Sequence, residues 1–365
     1  MSLRFGINGV GRIGRALLRL AQSTQGREEL VPAALNDVVP AGVLARLLAR
    51  DTVHGPFPGT VESSGRLRLD PRTGDWLRAA PEGAGPQGPT EPGIAIGGRE
   101  VPVFAAAEPA EIPWESAGVQ VVVEATGRFL PRSRAAAHLR GPVRNVILSA
   151  NPDPADPVDA ELCFGVNEGD FDPRRQAVVS NASCTTHCLS LVAKVLHDRF
   201  GIRRALMNTV HSYTENQRLL DSAHPDPRRA RAAAQNIIPI ETTTPGALGK
   251  LLPPLAGRVA GLAVRVPTPA VAMLDLVAQV ERPAEVAAVQ DAFRAAAAGE
   301  RGRYLAVTEE ELVSSDFVGD PHSAVVDLPL VQVVDGHLVR VVAWYDNEWG
   351  YANRLLDLLL RIARA

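Results

Sequence analysis

Apolar and polar residues alternate along the chain in two rhythms. Leu3 to Asn8 reads as a short buried strand, Gly9 to Gly14 as a tight turn, and Ile13, Leu17, Leu18, Leu20 and Ala21 as the apolar face of a helix. A second strand is predicted over Val31–Asn36, ending at Asp37, with further buried strands at Val119–Glu124 and Val143–Ser149. Strands alternating with helices predict a parallel, doubly wound sheet. Beyond Cys184 the rhythm changes. Cys188, Leu189, Leu191, Val192, Val195 and Leu196 keep helical spacing, and a polar, arginine-rich stretch runs from Thr214 to Arg231. Strand-like segments follow near Gly261–Val266, Met273–Val280 and Leu338–Tyr345, and a closing helix is predicted over Arg354–Ala363. The expected fold class is therefore α/β, a dinucleotide-binding sheet followed by a mixed-sheet second domain. Ala79 to Gly93, rich in Pro and Gly with no apolar period, reads as a mobile surface loop or insertion.

Composition narrows the function classes. The 365 residues are 46% hydrophobic and 22% charged, enough for two domains with substantial cores. A formal net charge of −3 gives no basic excess, so no nucleic-acid partner is expected; the one basic cluster is Arg228, Arg229 and Arg231. No apolar run of about eighteen residues suggests a membrane span, and the N-terminal residues lack a signal-peptide pattern. Three cysteines, Cys163, Cys184 and Cys188, have neither disulfide-framework nor metal-ligand spacing, so no metal is expected and a reducing, cytoplasmic setting is.

Gly9-Val10-Gly11-Arg12-Ile13-Gly14 is a GxGxxG between a strand and a helix. Its glycines allow the backbone to approach a pyrophosphate seated at the helix N-terminus. Asp37 lies 23 residues after Gly14 at the end of the next strand, where a carboxylate binds the adenosine ribose and favours NAD. Cys184 stands where a helix begins, a position that favours a thiolate. Most free cysteines are core hydrophobes, as Cys163 and Cys188 are expected to be. None of the eight histidines declares itself a base by spacing alone.

The segment Ser180-Asn181-Ala182-Ser183-Cys184-Thr185-Thr186 resembles the active-site segment of glyceraldehyde-3-phosphate dehydrogenases. Asn8–Arg15, Thr209–Thr214, Arg265–Pro269 and Trp344–Gly350 resemble further family motifs in the same order, so the likeness covers nearly the whole chain. It implies a Rossmann-type domain over residues 1–183, completed by a C-terminal helix over 347–365, and an α+β catalytic domain over 184–346 with a mixed, largely antiparallel sheet. The resemblance further implies that Cys184 attacks an aldehyde as the nucleophile, with His211 as its base and ion-pair partner. Hydride transfer to NAD leaves a thioester, which phosphate cleaves to an acyl phosphate. Gly9, Gly11, Arg12, Ile13, Gly14, Asp37, Thr126 and Asn347 are the implied cofactor residues. Arg265 and Thr214 match the substrate-phosphate site and Ser183, Thr242 and Arg229 the attacking-phosphate site, with Thr185 and Thr243 among the implied substrate- or phosphate-binding residues. A homotetramer is implied, with residues 212–231 at a subunit contact.

Four departures qualify this. His187 replaces the family's asparagine, and packing is the expected role. Glu241-Thr242-Thr243-Thr244-Pro245 replaces Ser-Thr-Gly-Ala-Ala, which alters how Thr243 presents its N–H. Ser222-Ala223 replaces Leu-Pro, resembling dual-cofactor members, so NADP is a possible second cofactor. Pro239–Thr242 and Asp320–Asp327 resemble the erythrose-4-phosphate branch, which makes that tetrose the alternative substrate. A third reading, a non-catalytic binding protein, conflicts with the intact Cys184, His211, Arg265 and Asn347.

Overall fold

The computed structural model describes residues 2–22, 29–63, 67–69, 76–78 and 93–365. Of the loop expected over Ala79–Gly93, residues 79–92 lie outside the described residues. The chain forms two compact units.

The first unit comprises Met1–Glu161, Asp172–Asn181 and Leu355–Ala365. Its sheet runs in the order Ala160–Glu161, Val178–Ser180, Asn145–Leu148, Val121–Glu124, Leu3–Asn8, Leu30–Asn36, Arg99–Phe104, Gly93–Ile96, Val61–Ser63. From Ala160–Glu161 to Arg99–Phe104 every pairing is parallel. Leu3–Asn8 is central because Phe5 and Ile7 are fully buried, and its chain order reverses there, which creates the crevice where doubly wound sheets bind nucleotides. The helix Arg12–Ala21 follows at once and buries Leu17 and Leu18 completely.

The second unit comprises Leu162–Phe171 and Ala182–Arg354. Its main sheet runs Ile238–Ile240, Val259–Val266, Ile202–Ser212, Ala272–Val280, Leu338–Tyr345, Ala324–Asp327, Leu305–Thr308. Two of its pairings are parallel and four antiparallel. The helix Cys184–Phe200 packs Leu189, Leu191, Val192 and Leu196 into this unit's core and ends at Gly201, whose φ of 71° stops the helix.

These units differ from the expected division at Leu162–Phe171, at Ala182 and Ser183, and at the start of the closing helix. Leu162–Phe171 joins the second unit, where Phe164 packs against the Tyr304 ring, tilted to it with centroids 5.6 Å apart, and Cys163 is buried. The closing helix begins earlier than Arg354, at Trp349, and its first turns belong to the second unit, where Arg354 lies 4.6 Å over the Tyr304 ring.

Candidate functional site

In the first unit, Gly9 adopts φ 92° and a Cβ there would meet Ala125 and Thr126 backbone at 2.8 Å. A Cβ on Gly14 would stand 2.4 Å from the Gly9 carbonyl, so both glycines are required by close packing. Gly11 instead faces open space, the room a phosphate backbone needs. The Asp37 carboxylate accepts the Val10 N–H at 2.8 Å and the Val39 N–H at 2.9 Å, which ties the end of the second strand to the glycine turn. Arg12 pairs with Asp51 beside this turn. Thr126 follows the strand Val121–Glu124 and donates its N–H to Glu124 at 2.9 Å. The residues present fit a dinucleotide: a cradle open at Gly11, a helix N-terminus, and a carboxylate in ribose reach of the turn.

In the second unit, Ser183 caps the helix by accepting the Thr186 N–H at 3.1 Å. The chain enters this cap through Ala182, held at φ 47°. This fixes Cys184 at the first helical position, half-buried, where unpaired N–H groups favour negative charge. His211 and Arg265 are direct partners across the parallel strands Ile202–Ser212 and Val259–Val266, and that register sets them side by side. The His211 Nε2 lies 3.5 Å from Cys184 Sγ. Its Nδ1 lies 2.8 Å from the Ser212 carbonyl, to which Arg265 Nη1 also donates at 2.9 Å. Arg265 Nη1, which can only donate, also lies against Nδ1, but the Ser212 carbonyl gives it an acceptor of its own; a proton on Nδ1 then serves the carbonyl and leaves the Nε2 lone pair to the thiol.

Burial drives both members of the pair toward neutrality. It lowers the His211 pKa to about 3, and the neighbouring Arg265 cation lowers it further. Burial raises the Cys184 thiol, against the pull of Arg265 and the Thr185 hydroxyl. Both shifts favour a thiol beside a neutral base over the ion pair expected from the resemblance. Arg265 itself is held down by burial, and the positive charge of Arg229 acts in the same direction. Two guanidinium groups that repel one another in this way favour an anion between them.

Ser183, Cys184, Thr185, His211 and Arg265 are therefore assembled in one place. Asn347 joins through Ser212: its Oδ1 accepts the Ser212 hydroxyl at 3.0 Å and the Val271 N–H at 2.9 Å. A backbone N–H can only donate, so the amide oxygen is fixed there and Nδ2 is the group left to a ligand. Thr214 and Thr242 share no hydrogen bond with Cys184, His211 or Arg265 among the described residues; Thr214 donates its N–H to Gln217 and Thr242 bonds Thr244. Arg229 pairs with Asp226 at 3.2 Å. Thr243 sits at φ −85°, ψ −4°, an ordinary conformation for any residue, so the loss of glycine there leaves no backbone strain. Ser222 and Ala223 are exposed.

Sequence reasoning passed over Thr209, Ser212 and Tyr345. The Tyr345 hydroxyl bonds Thr185 at 2.9 Å and Thr209 at 2.7 Å, and its ring meets His211 edge-on at 6.1 Å. The available signal was a tyrosine closing a largely apolar strand, since a buried phenol needs a polar partner.

His187 is buried, with Nδ1 3.1 Å from the Ser183 carbonyl and its ring edge-on to Tyr351. Burial lowers its pKa to about 3, and Arg354 contributes in the same direction. An unfolded histidine titrates near 6.5, so between roughly pH 6.5 and pH 3 the unfolded chain binds a proton that the folded one does not. Stability is full above that window and falls as the pH drops through it. Urea unfolding should show His187 supplying about 2 kcal/mol of the stability lost from pH 7 to pH 5, and His187→Asn should flatten the slope by that amount. An unchanged slope in the variant would place the proton uptake elsewhere.

The sequence matches the family described as "Glyceraldehyde 3-phosphate dehydrogenase, NAD binding domain" over residues 3–72 and 84–132. It matches "Glyceraldehyde 3-phosphate dehydrogenase, C-terminal domain" over residues 183–347. It is 43% identical over 363 residues to the glyceraldehyde-3-phosphate dehydrogenase of Geobacillus stearothermophilus, covering 100% of this chain and 99% of that protein. It is 43% identical over 359 residues to glyceraldehyde-3-phosphate dehydrogenase 2 of Streptomyces arenae, covering 98% of each. Glyceraldehyde-3-phosphate dehydrogenase 1 of Bacillus subtilis (strain 168) is 41% identical over 364 residues, covering 100% of this chain and 99% of that protein.

Proposed function

The chain belongs to the glyceraldehyde-3-phosphate dehydrogenase family and is an NAD-dependent oxidoreductase of glyceraldehyde 3-phosphate, and from that premise we propose which of its residues carry the reaction. The observation that carries the proposal is the 3.5 Å contact of Cys184 Sγ with His211 Nε2 beside the half-buried Arg265.

His211 Nε2 takes the thiol proton as Cys184 sulfur attacks the aldehyde carbon and passes it to the carbonyl oxygen, giving a hemithioacetal and a histidine that is again neutral. Its Nδ1–H bond to Ser212 keeps the ring in the tautomer this step needs. NAD held at the glycine turn would supply the acceptor for the hydride that leaves that carbon. The product on the enzyme is a Cys184 thioester, and His211 removes the hydroxyl proton as the carbonyl forms. Phosphate then attacks the thioester and Cys184 leaves as the thiolate. Arg265 and Thr214 hold the substrate phosphate; Ser183, Thr185, Arg229, Thr242 and Thr243 receive the attacking one. Gly9, Gly11, Arg12, Ile13, Gly14, Asp37 and Thr126 bind the cofactor, and Asn347 presents its Nδ2 to the nicotinamide carboxamide. The pinned Asp37 carboxylate disfavours a 2′-phosphate, so NAD is preferred over NADP.

The relatives are named for the triose, which favours it over erythrose 4-phosphate. NADH formation followed with both aldehydes, each with and without phosphate, tests this. Faster, phosphate-dependent turnover of the triose is expected. Indifference to phosphate would remove the attacking-phosphate site, and preference for the tetrose would make residues 239–245 its explanation.

A homotetramer is part of the same reading. Leu219 and Leu220 are 80% and 72% exposed in the arginine-rich loop, large apolar groups better covered by another subunit. Light scattering that returned the 38.9 kDa monomer would refute it. The three free cysteines support a cytoplasmic setting. Among the described residues, no helix is long and apolar enough to cross a membrane.

A further inference from the structure

The Tyr345 side chain is buried between two threonine hydroxyls, 2.7 Å from Thr209 Oγ1 and 2.9 Å from Thr185 Oγ1. Each of the three hydroxyls has one proton to donate, so the chain has a direction. Thr209 is 1% exposed, and Tyr345 is its hydrogen-bond partner among the described residues. Were Thr185 to donate to Tyr345 and Tyr345 to Thr209, the Thr209 proton would be left buried without an acceptor, the costly arrangement. The opposite direction satisfies every group. Thr209 donates to Tyr345, Tyr345 donates to Thr185, and the Thr185 proton is released toward Cys184 Sγ, 3.9 Å away at the outer reach of a bond to sulfur.

We propose that Tyr345 is a positioning residue of the reaction, the middle of a one-way chain of three hydroxyls that aims a proton donor at the Cys184 sulfur and stabilises its thiolate. The inference rests on Cys184 being the nucleophile. The titratable and charged groups facing that sulfur are His211 and Arg265 from two neighbouring strands, Tyr345 from a third, and Cys188 one helical turn on. His211 accepts the proton and Arg265 supplies charge; the hydroxyl chain adds a donor that needs no charge of its own. Burial keeps the phenol protonated far above its ordinary range, so it donates at every working pH. Hydroxyls in series polarise one another, which strengthens the terminal donor when the sulfur becomes an anion. The same residue walls His211, ring edge to ring face at 74°, so one side chain touches both the base and the donor chain.

Tyr345→Phe removes the hydroxyl and keeps the ring. In the full chain, iodoacetamide alkylation of Cys184, read by peptide mass across pH, should slow about three- to tenfold at neutral pH. The apparent thiol pKa should rise by about half a unit to one unit. Single-turnover hydride transfer should slow to a similar extent, with the loss in kcat and little change in KM. Thr209→Val cuts the far end and should shift the alkylation profile the same way by less, and Thr209→Ser should restore it. Combined with Tyr345→Phe, Thr209→Val should add nothing further. A Tyr345→Phe protein with lowered Tm but the parent alkylation profile would overturn the proposal and leave the tyrosine a packing residue. So would a Thr209→Val shift that adds in full to that of Tyr345→Phe. Failure of the nucleophile assignment shows differently, as turnover surviving Cys184→Ala.

Discussion

Cys184→Ala abolishes NADH formation, lowering turnover on the order of 10⁴- to 10⁶-fold, as loss of a covalent nucleophile does, while NAD affinity stays within about twofold. Both halves follow from where the residue stands. Its sulfur is the group within 3.5 Å of the His211 lone pair, and nothing else in that place can form a thioester. The dinucleotide turn, by contrast, is held by Gly9, Gly14, Asp37 and Val10 within the first unit, and none of those contacts involves Cys184. Alanine is a strong helix former, and the Ser183 cap that starts the helix is untouched, so folding is preserved. Cys163 and Cys188 serve as internal controls. Both are fully buried and burial pushes both thiols far up, so neither is alkylated in the native protein. Calorimetric NAD titration and NADH absorbance on the variant check the prediction. Residual turnover at a tenth of the parent would remove Cys184 from its role, and loss of NAD binding would mean that the fold depends on it.

The features legible in the sequence are those set by local rules. The glycine turn is visible because only glycine tolerates the contacts at positions 9 and 14, and Asp37 because a strand ends there. The strand Ile202–Ser212 was hidden. The successive Arg203 and Arg204 and the exposed Leu206 break the alternation, and its place in the sheet depends on partners such as Ala272–Val280, far away in sequence. The helix Val286–Ala298 was hidden for another reason: it buries only Val289 and Phe293 fully, too thin a stripe among alanines to stand out. Within the site, Cys184 is readable as a helix start, but the pairing of His211 with Arg265 is a matter of register between strands 54 residues apart. The Thr209–Tyr345–Thr185 chain joins three elements and has no signature in any one of them. The Thr243 departure looked disruptive only because a glycine was lost; a backbone at φ −85° never required one.

His211→Asn should cut turnover about 10²- to 10⁴-fold, the range for removing a general base, and the pH dependence of the loss identifies the role. With its pKa near 3, His211 is the neutral, proton-accepting form at every pH above about 5. The parent enzyme therefore needs no histidine deprotonation to become active between pH 5 and pH 9. Asparagine offers no comparable base, and the Cys184 thiol, raised by burial, then stays protonated at neutral pH. Alkylation of Cys184 should be slowed most near pH 7, and the variant should converge on the parent at alkaline pH, where hydroxide ionises the thiol without help. The size of the gap reports what His211 contributes; its closure reports that the contribution is a proton acceptor. Arg265 keeps its bond to the Ser212 carbonyl in the variant, so the anion site survives and KM for the aldehyde should move less than kcat. Parallel alkylation profiles for parent and variant, separated by the same factor at every pH, would assign His211 to orientation of the substrate, because a base whose loss hydroxide cannot repair is not acting on the thiol.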